Sequence, residues 1–71
     1  MTIFTIRFSA GPWAGEQMAW RDEDGTVRLW DEVAGHYTRP RTLSESQRAR
    51  LARAADSAHA RMSERRLGVA P

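Results

Sequence analysis

The side chains with which this chain could do chemistry are two histidines, His36 and His59, a scatter of serines, and the carboxylates Glu16, Asp22, Glu23 and Asp24. Acyl or phosphoryl transfer needs a nucleophile, a base and a group that orients the base, all within hydrogen-bond reach. No spacing here sets such a trio on one face of an element. Gly11 and Gly15 frame Pro12-Trp13-Ala14 without a following Lys-Ser/Thr, so the backbone cradle that holds nucleotide phosphates is not written either. A metal would require His36 to meet His59 and a carboxylate across the fold, and lone histidines are more often surface residues than ligands. Acids at a hairpin tip are usually solvated turn residues. The reading is of a non-enzymatic chain with no catalytic residue, no metal and no cofactor.

The elements that must position any binding residue fall into two regimes. From Thr2 to Phe8 apolar residues alternate with Thr5 and Arg7, the period-two pattern of a strand with one buried face. Ser9-Ala10-Gly11-Pro12 interrupts it. Further strands are expected over Glu16–Asp22 and Thr26–Asp31, joined by a turn at Glu23-Asp24-Gly25, with a short fourth over His36–Thr38 before Pro40 ends pairing. A two-residue turn at Asp24-Gly25 would set Trp20 opposite Leu29 and gather Met18, Trp20, Val27 and Leu29 on one face. A three-residue loop would pair Trp20 with Arg28 and split that apolar set, so the two-residue turn is preferred.

Helical signals begin at Thr42 or Ser44, each followed three residues later by the Glu45 or Gln47 of a capping box. They run to Leu67, with Arg65 and Arg66 in the last turn and Gly68 as the stop. Leu43, Leu51, Ala54, Ala55, Ala58 and Met62 share an arc of about 120°, the stripe that packs on the sheet. The fold class is therefore α+β: an antiparallel sheet of three or four strands against one long C-terminal helix. The expected organisation is a single domain over 1–71, with sheet 1–39, helix 42–67 and tail 68–71.

A chain of 71 residues builds one small core, burying only about 60% of its unfolded surface. No cysteine braces it, which favours a reducing, cytoplasmic setting over secretion. The opening run reads as a strand rather than a signal peptide or membrane span. The net charge of +2 hides segregation. Up to Thr38 three arginines face six acids, a net −3, and beyond it eight arginines face three acids, a net +5. A partner feels those local fields within roughly 8 to 10 Å rather than the total.

Two candidate surfaces follow. Asp22, Glu23, Asp24, Asp31 and Glu32 are expected around one end and edge of the hairpin, with Trp30 projecting opposite Leu29 as an anchor inside a charged rim. Carboxylates spaced along strands also imitate nucleic-acid phosphates. The alternative surface is the helix flank carrying Arg50, Arg53 and Arg61, which would suit a nucleic-acid-binding module. Ala49, Ala52 and Ala60 form a small-residue strip that would accept a second copy, so the chain is read as a monomer or weak homodimer.

Asp24-Gly25-Thr26-Val27-Arg28-Leu29-Trp30-Asp31 resembles the strand that closes a WD40 repeat, and Gly35-His36 the Gly-His of a following one. A propeller needs several blades of about 40 residues, so the likeness supports the hairpin alone. The strand Thr2–Phe8, the Gly11-Pro12-Trp13 corner and the acidic hairpin from Trp20 to Trp30 before one helix resemble the small phage-encoded anti-CRISPR proteins, including inhibitors of type I effectors. What that resemblance implies is a stoichiometric, protein-binding inhibitor docking on a CRISPR effector subunit and blocking DNA access. The net charge of +2 departs from the strongly acidic composition of many DNA mimics. Nucleic acid and membrane are not the expected partners.

Overall fold

The computed structural model describes residues 1–66, with side chains through residue 62. Four strands, β1 (Thr2–Phe8), β2 (Gly15–Arg21), β3 (Val27–Asp31) and β4 (His36–Thr38), form one antiparallel sheet in the order β1-β2-β3-β4, and α1 (Glu45–Arg66) packs on one side of it. The α+β class expected from the sequence is the class observed, with four strands. Gly68 and the tail 68–71, like the Arg65 and Arg66 side chains, lie outside the described residues.

The alternation in β1 is realised as written: Thr2, Ile6 and Phe8 are buried, while Ile3, Thr5 and Arg7 face solvent. The helix runs antiparallel to β1. Near its start Gln47 Nε2 donates to the Ala10 carbonyl at 2.9 Å and the Arg50 guanidinium lies over the Phe8 ring at 5.7 Å, while further along His59 Nδ1 meets the Thr2 hydroxyl at 3.2 Å. Between the two capping boxes the structure selects the second. Ser44 Oγ accepts from the Gln47 amide at 3.1 Å and Gln47 Oε1 accepts from the Ser44 amide at 3.0 Å, so two donors at the helix end are satisfied reciprocally. Thr42 instead accepts from Trp13 Nε1 at 3.1 Å.

The β2–β3 hairpin overturns the expected register. Trp20 pairs with Arg28 and Ala19 with Leu29, the arrangement of a three-residue loop. The Gly25 amide donates to the Asp22 carbonyl at 3.0 Å, the Asp22 amide to the Thr26 carbonyl at 2.8 Å, and Gly25 sits at φ +92°, where only glycine is unstrained. Asp24 Oδ1 accepts from the Thr26 amide at 2.9 Å and stiffens the loop. Trp20 and Met18 therefore lie on the side away from the helix, and Val27 and Leu29 beneath it. The physical reason is space. A helix whose stripe is largely alanine approaches the sheet closely, so the β2 residue under it must be small, and Ala19 is fully buried there with Leu29, Ile6, Phe8, Leu43 and Leu51. The bulk of this core comes from β1, β3 and the leucines. Ala55 and Ala58 are also buried, Ala54 is half-buried, and Met62 is exposed at the end of the stripe.

Candidate functional site

Because the helix occupies one side of a sheet whose strands alternate, every second residue is sent to the other side. There stand Ile3, Thr5 and Arg7 from β1, Glu16, Met18 and Trp20 from β2, Arg28 and Trp30 from β3, and Tyr37 from β4. Thr5 pairs with Met18 and Trp30 with Tyr37, and continuing the β2–β3 register by one step sets Met18 opposite Trp30. One row thus crosses all four strands. Ile3 pairs with Trp20 and Trp20 with Arg28 in the next row. No described element covers this side, and Ile3, Met18 and Trp30 keep 52%, 46% and 36% of their surface in solvent.

The aromatic part is built rather than loose. The Tyr37 ring meets Trp20 and Trp30 edge-on, both at 5.1 Å between centroids, with interplanar angles of 75° and 73°. Such contacts contribute about 0.5–1.5 kcal/mol each beyond area burial. Trp20 is held from its other end, where its Nε1 donates to Asp22 Oδ1 at 2.8 Å while Asp22 Oδ2 accepts from Arg28. Three strands thereby fix the ring positions before any partner arrives, which lowers the ordering cost of binding.

Beside this cluster the same side opens into a groove of about 650 Å³ lined by Pro12, Trp13, Glu16, Met18, Trp30 and Glu32, among others. Trp13 reaches it from the β1–β2 loop, where Gln17 Nε2 donates to the Trp13 carbonyl at 3.0 Å. Asp31 lines it from the β3–β4 turn. Its Oδ1 accepts from the Val33 and Ala34 amides at 3.0 and 3.1 Å, and the Gly35 amide closes on the Asp31 carbonyl at 2.8 Å.

The acids expected around one end and edge of the hairpin are divided. Asp22, Glu23 and Asp24 sit at the β2–β3 loop, and Asp31 and Glu32 at the opposite end of β3, so a strand length of about 16 Å separates the groups. Asp22 and Asp24 are committed to the hairpin by the bonds above. The Thr26 hydrogen bonds hold the Asp24 carboxyl below its ordinary pKa. Glu23 is exposed and lies 3.8 Å from the amino group of Met1. Trp30 does project opposite Leu29, and β4 folds back beside it only far enough for Tyr37 to brace it. The residues not anticipated for this face are Met18, Trp20 and Tyr37, together with Glu16 and Trp13. Had the strand parity been counted from Ala19 inward, the first two would have been assigned to it.

On the helix, Arg50, Arg53 and Arg61 are all exposed, with Arg50 stacked over Phe8. His36 Nδ1 meets the Tyr37 carbonyl and His59 meets Thr2, so the two histidines occupy separate places. Among the described residues no group of three His, Cys, Asp or Glu side chains could hold a metal ion, and no helix is long and apolar enough to cross a membrane. No family model, curated protein or solved structure matches the chain.

Proposed function

We propose that this chain is a non-catalytic protein-binding domain that inhibits its partner by occupying it, and that its docking face is the uncovered side of the sheet centred on Trp30. The observation that carries the reading is the row Met18–Trp30–Tyr37 with Trp20 beside it: a preorganised aromatic and apolar surface, held by hydrogen bonds and edge-on stacking, rimmed by Glu16, Asp31 and Glu32. Tryptophan and tyrosine anchors inside a polar rim are the composition of binding hot spots. Partial exposure of several large apolar side chains on one side of a sheet is costly to leave in water and useful only when something covers it. In its narrowest form, carried by the family resemblance alone, the partner is a CRISPR effector subunit in the cytoplasm of a bacterial host.

The test is affinity for a captured partner. Trp30→Ala is expected to weaken binding at least about 30-fold, the loss of an interface hot spot, and Met18→Glu to do so comparably, whereas Arg53→Glu on the outer helix leaves affinity unchanged. If the helix variant abolishes binding and both sheet variants retain it, the docking face is on the wrong side of the molecule. A gel shift with DNA and RNA at low salt examines the arginine flank in the same way, since phosphate contacts weaken steeply as salt is added.

A further inference from the structure

The groove next to the aromatic cluster has a composition that selects what enters it. Its walls include Trp13 and Trp30, its rim carries Glu16, Asp31 and Glu32, and among the described residues neither arginine nor lysine lines it. An indole face attracts a cation through its quadrupole, and carboxylates beside it add direct Coulomb attraction. A neutral aromatic occupant would stack on the indoles without any charge attraction and would strip water from carboxylates it cannot pair, and a phosphate would meet like charge at close range. We infer that the groove receives the guanidinium or ammonium group of an arginine or lysine on an extended, basic segment of the partner protein.

The site is prepared for such a group. Two backbone amides hold Asp31 Oδ1, which fixes the carboxylate's direction before binding. The Trp13 indole N–H is spent on Thr42, leaving the ring as an apolar wall. At about 650 Å³ the groove is within the range of small-ligand sites and roomy enough for a long side chain with part of its backbone. Among the described residues, Arg7 stands opposite Glu16 in the register of β1 and β2 and does not line the groove. Arg28 is engaged by Asp22 one row away. From that register position Arg7 is within reach to compete for Glu16, one of the three carboxylates.

This inference rests on the docking face proposed above, and the probes separate the two. The full chain is titrated with three blocked tripeptides, Ala-Arg-Ala, Ala-Lys-Ala and Ala-citrulline-Ala, while the three tryptophan indole signals are followed by NMR. Saturable shifts are expected at Trp13 and Trp30 but not at Trp20, with the arginine and lysine peptides and not with citrulline, which has the shape of arginine without its charge. The Glu16→Gln/Glu32→Gln variant should weaken binding about three- to tenfold, as for partly exposed charge pairs, and Arg7→Gln should tighten it. Equal binding of citrulline, shifts centred on Trp20, an indifferent double variant, or no saturable shift at all would each overturn the proposal. A partner lost on Trp30→Ala yet indifferent to Glu16 and Glu32 would leave the docking face standing and remove the basic segment. A partner indifferent to Trp30 would remove the docking face whatever the peptides do.

Discussion

Enlarging Ala19 and reshaping Met18, adjacent residues of one strand, should have very unequal consequences. Ala19 is fully buried, with Phe4 opposite it on β1 and Leu29 opposite it on β3, beneath a helix brought close by its alanines. Leucine there adds three carbons to a space with no slack, and overpacking of this kind costs roughly 1–3 kcal/mol, occasionally more. A 71-residue domain is stable by about 4–11 kcal/mol, so a sizeable fraction is at stake. At about 4–8 °C per kcal/mol for a domain this small, Ala19→Leu should lower Tm by some 5–20 °C. Met18 is nearly half exposed on the other side, and Met18→Leu conserves volume, so its effect should stay within about 0.5 kcal/mol. Thermal and urea unfolding followed by far-UV circular dichroism read both. An Ala19→Leu protein as stable as the parent would refute the close approach of helix to sheet, and with it the reason Trp20 faces outward.

Three further outcomes follow from local geometry. Ser44→Ala should destabilise by about 1 kcal/mol, the usual cost of a lost N-cap, with Ser44→Asp retaining most of the stability in the same melts. Gly25→Ala should cost about 1–2 kcal/mol, and because an added Cβ would meet nothing closer than Arg21 Nη2 at 3.8 Å, the cost is one of backbone strain at φ +92° and not of a clash. Asp24 has a carboxyl pKa lowered by its Thr26 hydrogen bonds, so its contribution to stability is present above the unfolded value near 3.9 and is lost as pH falls through the lower folded value. Unfolding measured from pH 6 to 2 should therefore show less acid loss for Asp24→Asn, which keeps an acceptor without titrating, than for the parent chain.

The parts of this fold that local rules dictate are legible in the sequence. Alternation in β1, the short β4 before Pro40 and a capping box at the helix start each follow from one element's own residues, while the choice of Ser44–Gln47 over Thr42–Glu45 comes with the bond from Trp13 to Thr42. The orientation of β2 does not follow in that way, because its parity is decided by a neighbour. Apolar side-chain area ranks Met18 and Trp20 above Ala19, and a pattern read strand by strand turns the larger apolar residues inward. The alanine-rich helix reverses that preference, since only a small residue fits beneath it. The same one-residue shift moved the candidate site. Strand alternation sets Trp30 opposite Leu29 but does not say whether the following chain covers it, its companions Met18, Trp20 and Tyr37 are hidden by the register, and the binding of Asp22 by the Trp20 indole and Arg28 depends on that same register. The separation of the acids along β3 was implicit in strand length, whereas their commitment to loop hydrogen bonds depends on the turn type that Gly25 selects.

The docking reading depends on which side of the sheet Trp20 occupies, and proton–proton Overhauser contacts in solution measure that directly. Cross-peaks from the Trp20 ring to the Tyr37 ring, with the Ala19 methyl reporting instead to Leu29 and Leu51, are the predicted result. Cross-peaks from the Trp20 ring to Leu51 and Ala55 would place it under the helix and leave the proposed face without its aromatic support.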